Sequence, residues 1–313
     1  MIIFEKKEVE KMIYTITFNP ALDYMVQAEK FEIGKINRSK SETIVPGGKG
    51  LNVSRVLRNL GFDSTSLGFI AGFTGKELKR RIEEYGIKTD MIEVEEGITR
   101  INVKISSDIE TALNANGPII TEKNIEQLIE KIEKFNSADT VILSGNIPKN
   151  LDNNIYERIC KKLLDKKVRF IVDSSQELLI NSLKYEPFLI KPNREELEET
   201  FNIKIQTKEQ IMEYAKKLQE MGARNVLISL GGDGALLLTE ENKTYSKRAP
   251  DGKVINTVGC GDSMVAGFVA GYEKNNNFEQ ALEMGLAAGS ASAFSEELAT
   301  KEEVDKLLTQ MKF

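Results

Sequence analysis

The rhythm of apolar and polar positions changes at residue 121. Upstream, apolar positions come in short, mixed segments. Ile13–Phe18 alternates β-branched and aromatic residues, which predicts a strand, and Asn19-Pro20 ends it. Asp23–Gln27 and Ile36–Val45 alternate polar with apolar residues, as strands with one wet face do. Leu51–Leu60 carries a helical period closed by Gly61. Thr65–Ile70 reads as a buried strand, and Thr74–Tyr85 as an amphipathic helix closed by Gly86. Arg100–Ile105 and Thr111–Leu113 alternate again.

From residue 121 onward helical periods and apolar strands take turns. Helices are predicted over Thr121–Phe135, Asn154–Leu164, from Arg194, and over Lys208–Met221. Strands are predicted at Thr140–Leu143, Val168–Val172, Phe188–Ile190 and Val226–Leu230. Helices at Met264–Tyr272, Phe278–Phe294 and Lys301–Met311 end the chain. This alternation predicts an α/β fold: a three-layer α/β/α sandwich whose mainly parallel sheet is covered by helices on both faces. The polar-alternating strands within residues ~23–45 and ~98–114 do not suit such a core and predict a separate small β-sheet lid. One domain over residues 12–313 with that lid inserted is expected, preceded by an extension over residues 1–11.

Composition narrows the chemistry. The chain has 313 residues, 41% hydrophobic and 29% charged, with a net charge of −5. Those values describe an ordinary globular protein and give no basic footprint for nucleic acid. No apolar run reaches the ~20 residues that span a bilayer, and the N-terminus lacks the apolar stretch of a signal peptide. A cytoplasmic location without membrane partners is expected. Two cysteines in unrelated contexts, Cys160 and Cys260, make neither a disulfide scaffold nor a zinc site. The lack of histidine removes His-based bases and metal ligands. An enzyme so composed would take its base from a carboxylate and any metal from the hard, oxygen-loving ions.

The segment Asn256-Thr257-Val258-Gly259-Cys260-Gly261-Asp262-Ser263 precedes an apolar helix. Glycines there let backbone N–H groups approach an anion at the positive end of the helix dipole. Asp262 beside such a cradle can cap the helix, accept a proton from an attacking hydroxyl, or do both. Gly47-Gly48-Lys49-Gly50-Leu51-Asn52 is a second Gly-rich turn before a helix, and it lacks the Walker spacing. Asn193 and Glu196 have the spacing of a capping box. Ser229-Leu230-Gly231-Gly232-Asp233-Gly234 suits a hairpin turn, and Ala287-Ala288-Gly289-Ser290 close helix packing.

Taken together and in this order, these segments closely resemble the signatures of the ribokinase-like (PfkB) carbohydrate kinases, over Ile13 to Leu307. The resemblance implies that Asp262 is the catalytic base and that the amides of Gly259, Cys260 and Gly261 form an anion hole. Cys260 replaces the alanine usual there, where only a backbone N–H is needed. Gly47, Gly48, Lys49 and Asn52 are implied to bind the sugar, as is Asp23 in Asn19-Pro20-Ala21-Leu22-Asp23. ATP is the implied phosphoryl donor, contacted by Lys191, Asn193, Ser229, Gly231, Gly234, Thr257 and Gly289. Glu196 is implied to lie near Mg²⁺ through water.

Arg100-Ile101-Asn102-Val103-Lys104-Ile105 and Leu143-Ser144-Gly145-Asn146-Ile147-Pro148 resemble the branch of the family that converts fructose 1-phosphate to fructose 1,6-bisphosphate. Arg100 and Ser144 are the implied substrate contacts, and Asn146 departs from the usual serine. Lys35, Arg38 and Lys40 are candidate contacts to the substrate phosphate. Tagatose 6-phosphate and fructose 6-phosphate are alternative substrates. A non-catalytic sugar- or nucleotide-binding regulator is the rival of another class. A homodimer through the lid is implied by resemblance.

Overall fold

The computed structural model describes residues 11–311 except 149, 153 and 175, so the expected extension over residues 1–11 lies, Lys11 apart, outside the described residues. The first half contains β1 (Ile13–Thr17), β2 (Ala21–Ala28), β3 (Ser39–Gly47), α1 (Lys49–Asn59), β4 (Thr65–Ala71) and α2 (Gly72–Glu84). It continues with β5 (Lys88–Thr89), β6 (Ile92–Val94), β7 (Arg100–Ser106) and β8 (Thr111–Leu113). Next come α3 (Glu122–Ile132), β9 (Thr140–Ser144), α4 (Asn154–Asp165), β10 (Arg169–Asp173), α5 (Gln176–Leu183), β11 (Leu189–Ile190), α6 (Arg194–Phe201) and α7 (Lys208–Glu220). The chain then runs through β12 (Val226–Ser229), β13 (Ala235–Leu238), β14 (Thr244–Lys247), α8 (Cys260–Asn275), α9 (Phe278–Ala293) and α10 (Lys301–Gln310).

The large sheet has the order β14-β13-β12-β11-β10-β9-β1-β4-β5, with β6 also paired to β4. Its interior pairs are parallel; only β12–β13 and β13–β14 are antiparallel. Near-continuous apolar strands such as Val141-Ile142-Leu143 bury both faces, as a doubly covered parallel sheet requires. One core joins the sheet to α3, α4, α5 and α7 through Ile125, Leu128, Ile159, Leu179 and Leu218. The other joins it to α1, α8, α9 and α10 through Val53, Leu57, Val265, Phe268, Leu286 and Val304. The expected three-layer α/β sandwich is thus observed.

The second sheet has the order β3-β2-β7-β8. Register divides its residues cleanly. Asp23 pairs with Asn102, and Met25 with Lys104, on one face. Tyr24 pairs with Ile44 and Val103, and Val103 with Leu113, on the other. Near its base the apolar face packs Leu22 on Leu78 and Ile82 of α2. Beside it, Ile101 and Leu113 on the same face are exposed. Among the described residues no helix is long and apolar enough to cross a membrane.

Several elements depart from their sequence-based bounds for physical reasons. The helix expected from Met264 begins at Cys260 and so includes Asp262 in its first turn. Gly261, Gly267 and Gly271 lower its local propensity, but close packing on α9 overrides this: a Cβ at Gly271 would come within 2.9 Å of the Ala281 Cα. The strand expected to end at Val172 extends to Asp173. Helix α5 and the short strands β5, β6 and β14 were not apparent in the pattern; β5 and β6 have only two and three residues and exist through pairing with β4.

Candidate active site

The C-terminal ends of the parallel strands line up along one edge, where open α/β sheets place their ligands. Thr17 ends β1, Ser144 ends β9, Asp173 ends β10, Lys191 follows β11 and Ser229 ends β12. The N-termini of α1 and α8 converge on the same edge. Their caps, Gly48 at φ 133° and Gly259 at φ 79°, occupy backbone conformations that side chains disfavour. Neither helix has a side-chain cap, so first-turn amides remain open to a ligand. The Cys260 amide reaches only the Thr257 carbonyl, at 3.5 Å.

Asp262 stands at this convergence, buried, with Asn52 Nδ2 donating to its Oδ2 at 2.7 Å. The carboxylate does not cap α8, so of the two readings open in the sequence the helix-cap role is set aside. Burial, reinforced by the nearby Asp173 charge, pushes its pKa up to about 6; Lys49, Asn52 and Lys191 act in the opposite sense. Asp173 is itself buried between two ammonium groups. Lys191 Nζ lies 3.3 Å from its Oδ1 and Lys49 Nζ 3.4 Å from its Oδ2. Burial alone would raise the Asp173 pKa, but the two lysines outweigh it and hold it low. Burial likewise opposes charge on Lys49, while Asp173, Asp262 and Glu196 more than compensate and raise it. Lys191 also lies over the α8 turn: a Cβ at Gly261 would come within 3.2 Å of its Nζ.

Two cavities flank this centre. The first, about 650 Å³, is lined by Thr17, Asn19, Gly48, Lys49, Arg100 and Ser144, and by residues 114–119 and 145–148. The buried hydroxyls of Thr17 and Ser144 find no protein partner. Arg100 Nε donates to the Asn19 carbonyl at 3.0 Å, and burial lowers its pKa, with Asp23 opposing. The second cavity, about 550 Å³, is lined by Asn193, Ser229, Gly231, Thr257, Cys260, Gly261 and Gly289, with Met264, Leu286, Ala293 and Phe294 as an apolar end.

Most residues singled out in the sequence therefore meet at one edge, although some take other contacts. Asp23 accepts from Asn102 Nδ2 and Lys104 Nζ, each at 2.8 Å, and does not line the cavity. Gly47 lies beneath that carboxylate, where a Cβ would come within 2.6 Å of it. Gly234 forms the β12–β13 turn, packed on the Lys247 carbonyl, and is off the cavity wall. Asn193 and Glu196 form a capping box: Asn193 Oδ1 accepts from the Glu196 amide at 2.7 Å, and Glu196 Oε2 from the Asn193 amide at 2.9 Å. Lys35 and Lys40 pair with Glu32 and Glu29 on the β2–β3 connection. Asp173 belongs to no motif, and Lys104 lies in the Arg100–Ile105 segment without having been singled out as a contact. The available signal for Asp173 was its place at the C-terminal end of a parallel strand.

Comparison with known proteins gives the family. The model of the pfkB family of carbohydrate kinases matches residues 17–304. The chain is 44% identical to the 1-phosphofructokinase of Bacillus subtilis over 301 residues, 96% of this chain and 99% of that one. It is 38% identical to the D-tagatose-1-phosphate kinase of Bacillus licheniformis, covering 96% and 98%. Phosphofructokinase-2 from Escherichia coli, solved with substrates and products, superposes with a TM-score of 0.90 at 27% identity, covering 96% and 100%. The match spans both cavities and the α8 turn between them, and the chain belongs to the pfkB family of carbohydrate kinases.

Proposed function

We propose that this kinase transfers the γ-phosphoryl group of ATP to the 6-hydroxyl of fructose 1-phosphate, giving fructose 1,6-bisphosphate and ADP. The observation that carries this reading is Asp262, a buried carboxylate with a pKa raised to about 6, placed beside the open first turn of α8. The sugar phosphate occupies the first cavity, where Arg100 and the unpartnered hydroxyl of Ser144 supply donors. Thr17 offers a further hydroxyl that the sequence did not mark. The adenine end of the nucleotide suits the apolar end of the second cavity. Asp262 takes the hydroxyl proton as the oxygen attacks phosphorus and the bond to ADP breaks. The α8 amides and Lys191 offset the charge that develops.

Among the described residues no cluster of three or more His, Cys, Asp or Glu side chains forms a metal site. Mg²⁺ bound to the nucleotide phosphates would neutralise their charge, and Glu196, in the first turn of α6 beside the nucleotide-side cavity, is the residue that would reach it through water. The polar face of the small sheet contributes Arg100 to the wall of the sugar cavity and acts as its lid, with Asn102 and Lys104 of the same face held by Asp23. The apolar face, with Tyr24, Val103, Ile101 and Leu113, supports a homodimer in which two lids pack together. Both substrates are phosphorylated and do not cross a bilayer unaided, which supports a cytoplasmic reaction.

The test is ATP-dependent kcat/KM on fructose 1-phosphate, tagatose 1-phosphate, fructose 6-phosphate, tagatose 6-phosphate and unphosphorylated fructose. A preference of about tenfold for fructose 1-phosphate, worth ~1.4 kcal/mol at the transition state, is expected. A 6-phosphate sugar in first place would overturn the substrate reading of Arg100. Preference for tagatose 1-phosphate would keep the phosphate site and reassign the hydroxyl contacts. No turnover on any sugar would favour a silent binder.

A further inference from the structure

The buried carboxylate of Asp173 has no part in the chemistry described so far, yet it contacts two of the site's charged groups, Lys49 and Lys191. It closes β10, bridges the ammonium groups of Lys49 and Lys191, and sits close enough to Asp262 to oppose its ionisation. A carboxylate this buried is costly unless it serves its neighbours. Its contacts are 3.3 and 3.4 Å long, beyond the usual 2.7–2.9 Å of charge-assisted bonds. The lysines are therefore held by charge without being locked, and can turn toward a phosphoryl oxygen.

We propose that Asp173 is a positioning residue: it parks the ammonium groups of Lys49 and Lys191 beside the α8 turn until a phosphoryl group arrives. From the same place its charge opposes the ionisation of Asp262. This rests on the reading of Asp262 as the base. The charges around Asp262 come from Lys49 on α1, Asp173 on β10 and Lys191 after β11, with the Cys260 thiol on its own helix. On α9, Glu283 and Glu279 pair with Lys247 at the opposite end of that helix.

The experiment is the pH dependence of kcat/KM, whose acid limb reports the free enzyme. In Asp173→Asn a repelling neighbour is lost, and the limb moves down by about one pH unit. The KM for ATP rises about tenfold because the lysines are no longer held, a loss of ~1.4 kcal/mol of binding. In Lys191→Met an attracting neighbour is lost, and the limb moves up. Opposite shifts are a signature of charge that simple damage to packing does not produce. If Asp173→Asn does not fold, Asp173→Ser, which also removes the charge, takes its place beside Lys191→Met. If turnover is too slow to follow, the pH dependence of Cys260 alkylation in the same variant supplies the inflection, since that thiol senses Asp262 and Cys160 is buried. An acid limb, or a Cys260 inflection, that stays in place in the folded variants overturns the proposal. Near-wild-type turnover in Asp262→Asn would instead overturn the base reading beneath it.

Discussion

Helices α6 and α8 both start on the wall of the nucleotide-side cavity, and their first turns are closed in opposite ways. At α6 the Asn193–Glu196 box satisfies backbone amides from within the chain. The same device starts α3, α7 and α10, at Thr121, Thr207 and Thr300. At α8 the cap is Gly259, with no side chain to offer, and the acidic residue of the first turn faces sideways to Asn52. A capped helix end is finished without a ligand; an uncapped one facing a cavity is not. On the proposed reading the contrast gives α6 scaffold work and α8 anion work, and each half can be broken separately.

The largest effect is expected at Asp262. Asp262→Asn keeps the shape and the Asn52 contact but removes the proton acceptor, so kcat should fall about 10²- to 10⁴-fold. Steady-state turnover with saturating ATP checks this, and a loss under tenfold would return α8 to the scaffold class. In the wild-type protein kcat/KM should decline below pH of about 6, because the base must be ionised to work.

The same substitution should stabilise the fold. Asp262 binds its proton more tightly when folded, so its contribution to stability is greatest below its unfolded pKa, near 3.9, and is lost as pH rises to about 6. Above that pH the ionised carboxylate lowers stability by about 2–3 kcal/mol, which Asp262→Asn should recover in urea unfolding at pH 7.5. A lower unfolding midpoint in the variant would show that the carboxylate serves the scaffold after all. Gly259→Ala comes next: its φ of 79° and a Cβ 2.5 Å from Leu298 Cδ2 predict a loss of about 1–2 kcal/mol, with activity reduced further than stability.

Legibility in the sequence followed the range of the interactions involved. Buried strands and amphipathic helices announce themselves through local period, and the three-layer order followed from their alternation. The glycine turns at Gly47–Gly48 and Gly259–Gly261 were legible because positive φ and close approach of the backbone leave a local mark in glycine. Asp173 was not singled out, because its place at the end of a parallel strand was its one mark; its contacts depend on Lys49 and Lys191, which arrive from α1 and from beyond β11. The start of α8 at Cys260 was also hidden, since packing on α9 overrides the poor propensity of its glycines. Asp23 was found, but its partner Lys104 sits two positions beyond Asn102 on β7 and is placed there only by the parallel register of β2 and β7.

The smallest effect is the one that sharpens the contrast most. Glu196→Ala removes the carboxylate that accepts from the Asn193 amide and should lower stability by about 1 kcal/mol, as lost caps do. If capping is its whole function, kcat and the Mg²⁺ concentration needed for half-maximal activity stay unchanged. If Glu196 also reaches the metal through water, that concentration rises severalfold while Asn193 still accepts from the residue-196 amide. Glu196→Gln separates the two contributions, because its amide oxygen can keep the cap without the charge. Wild-type stability together with a raised Mg²⁺ requirement in Glu196→Gln is the expected result. It would show that even the helix closed from within lends its carboxylate to the nucleotide side, leaving α8 distinguished by its open amides alone.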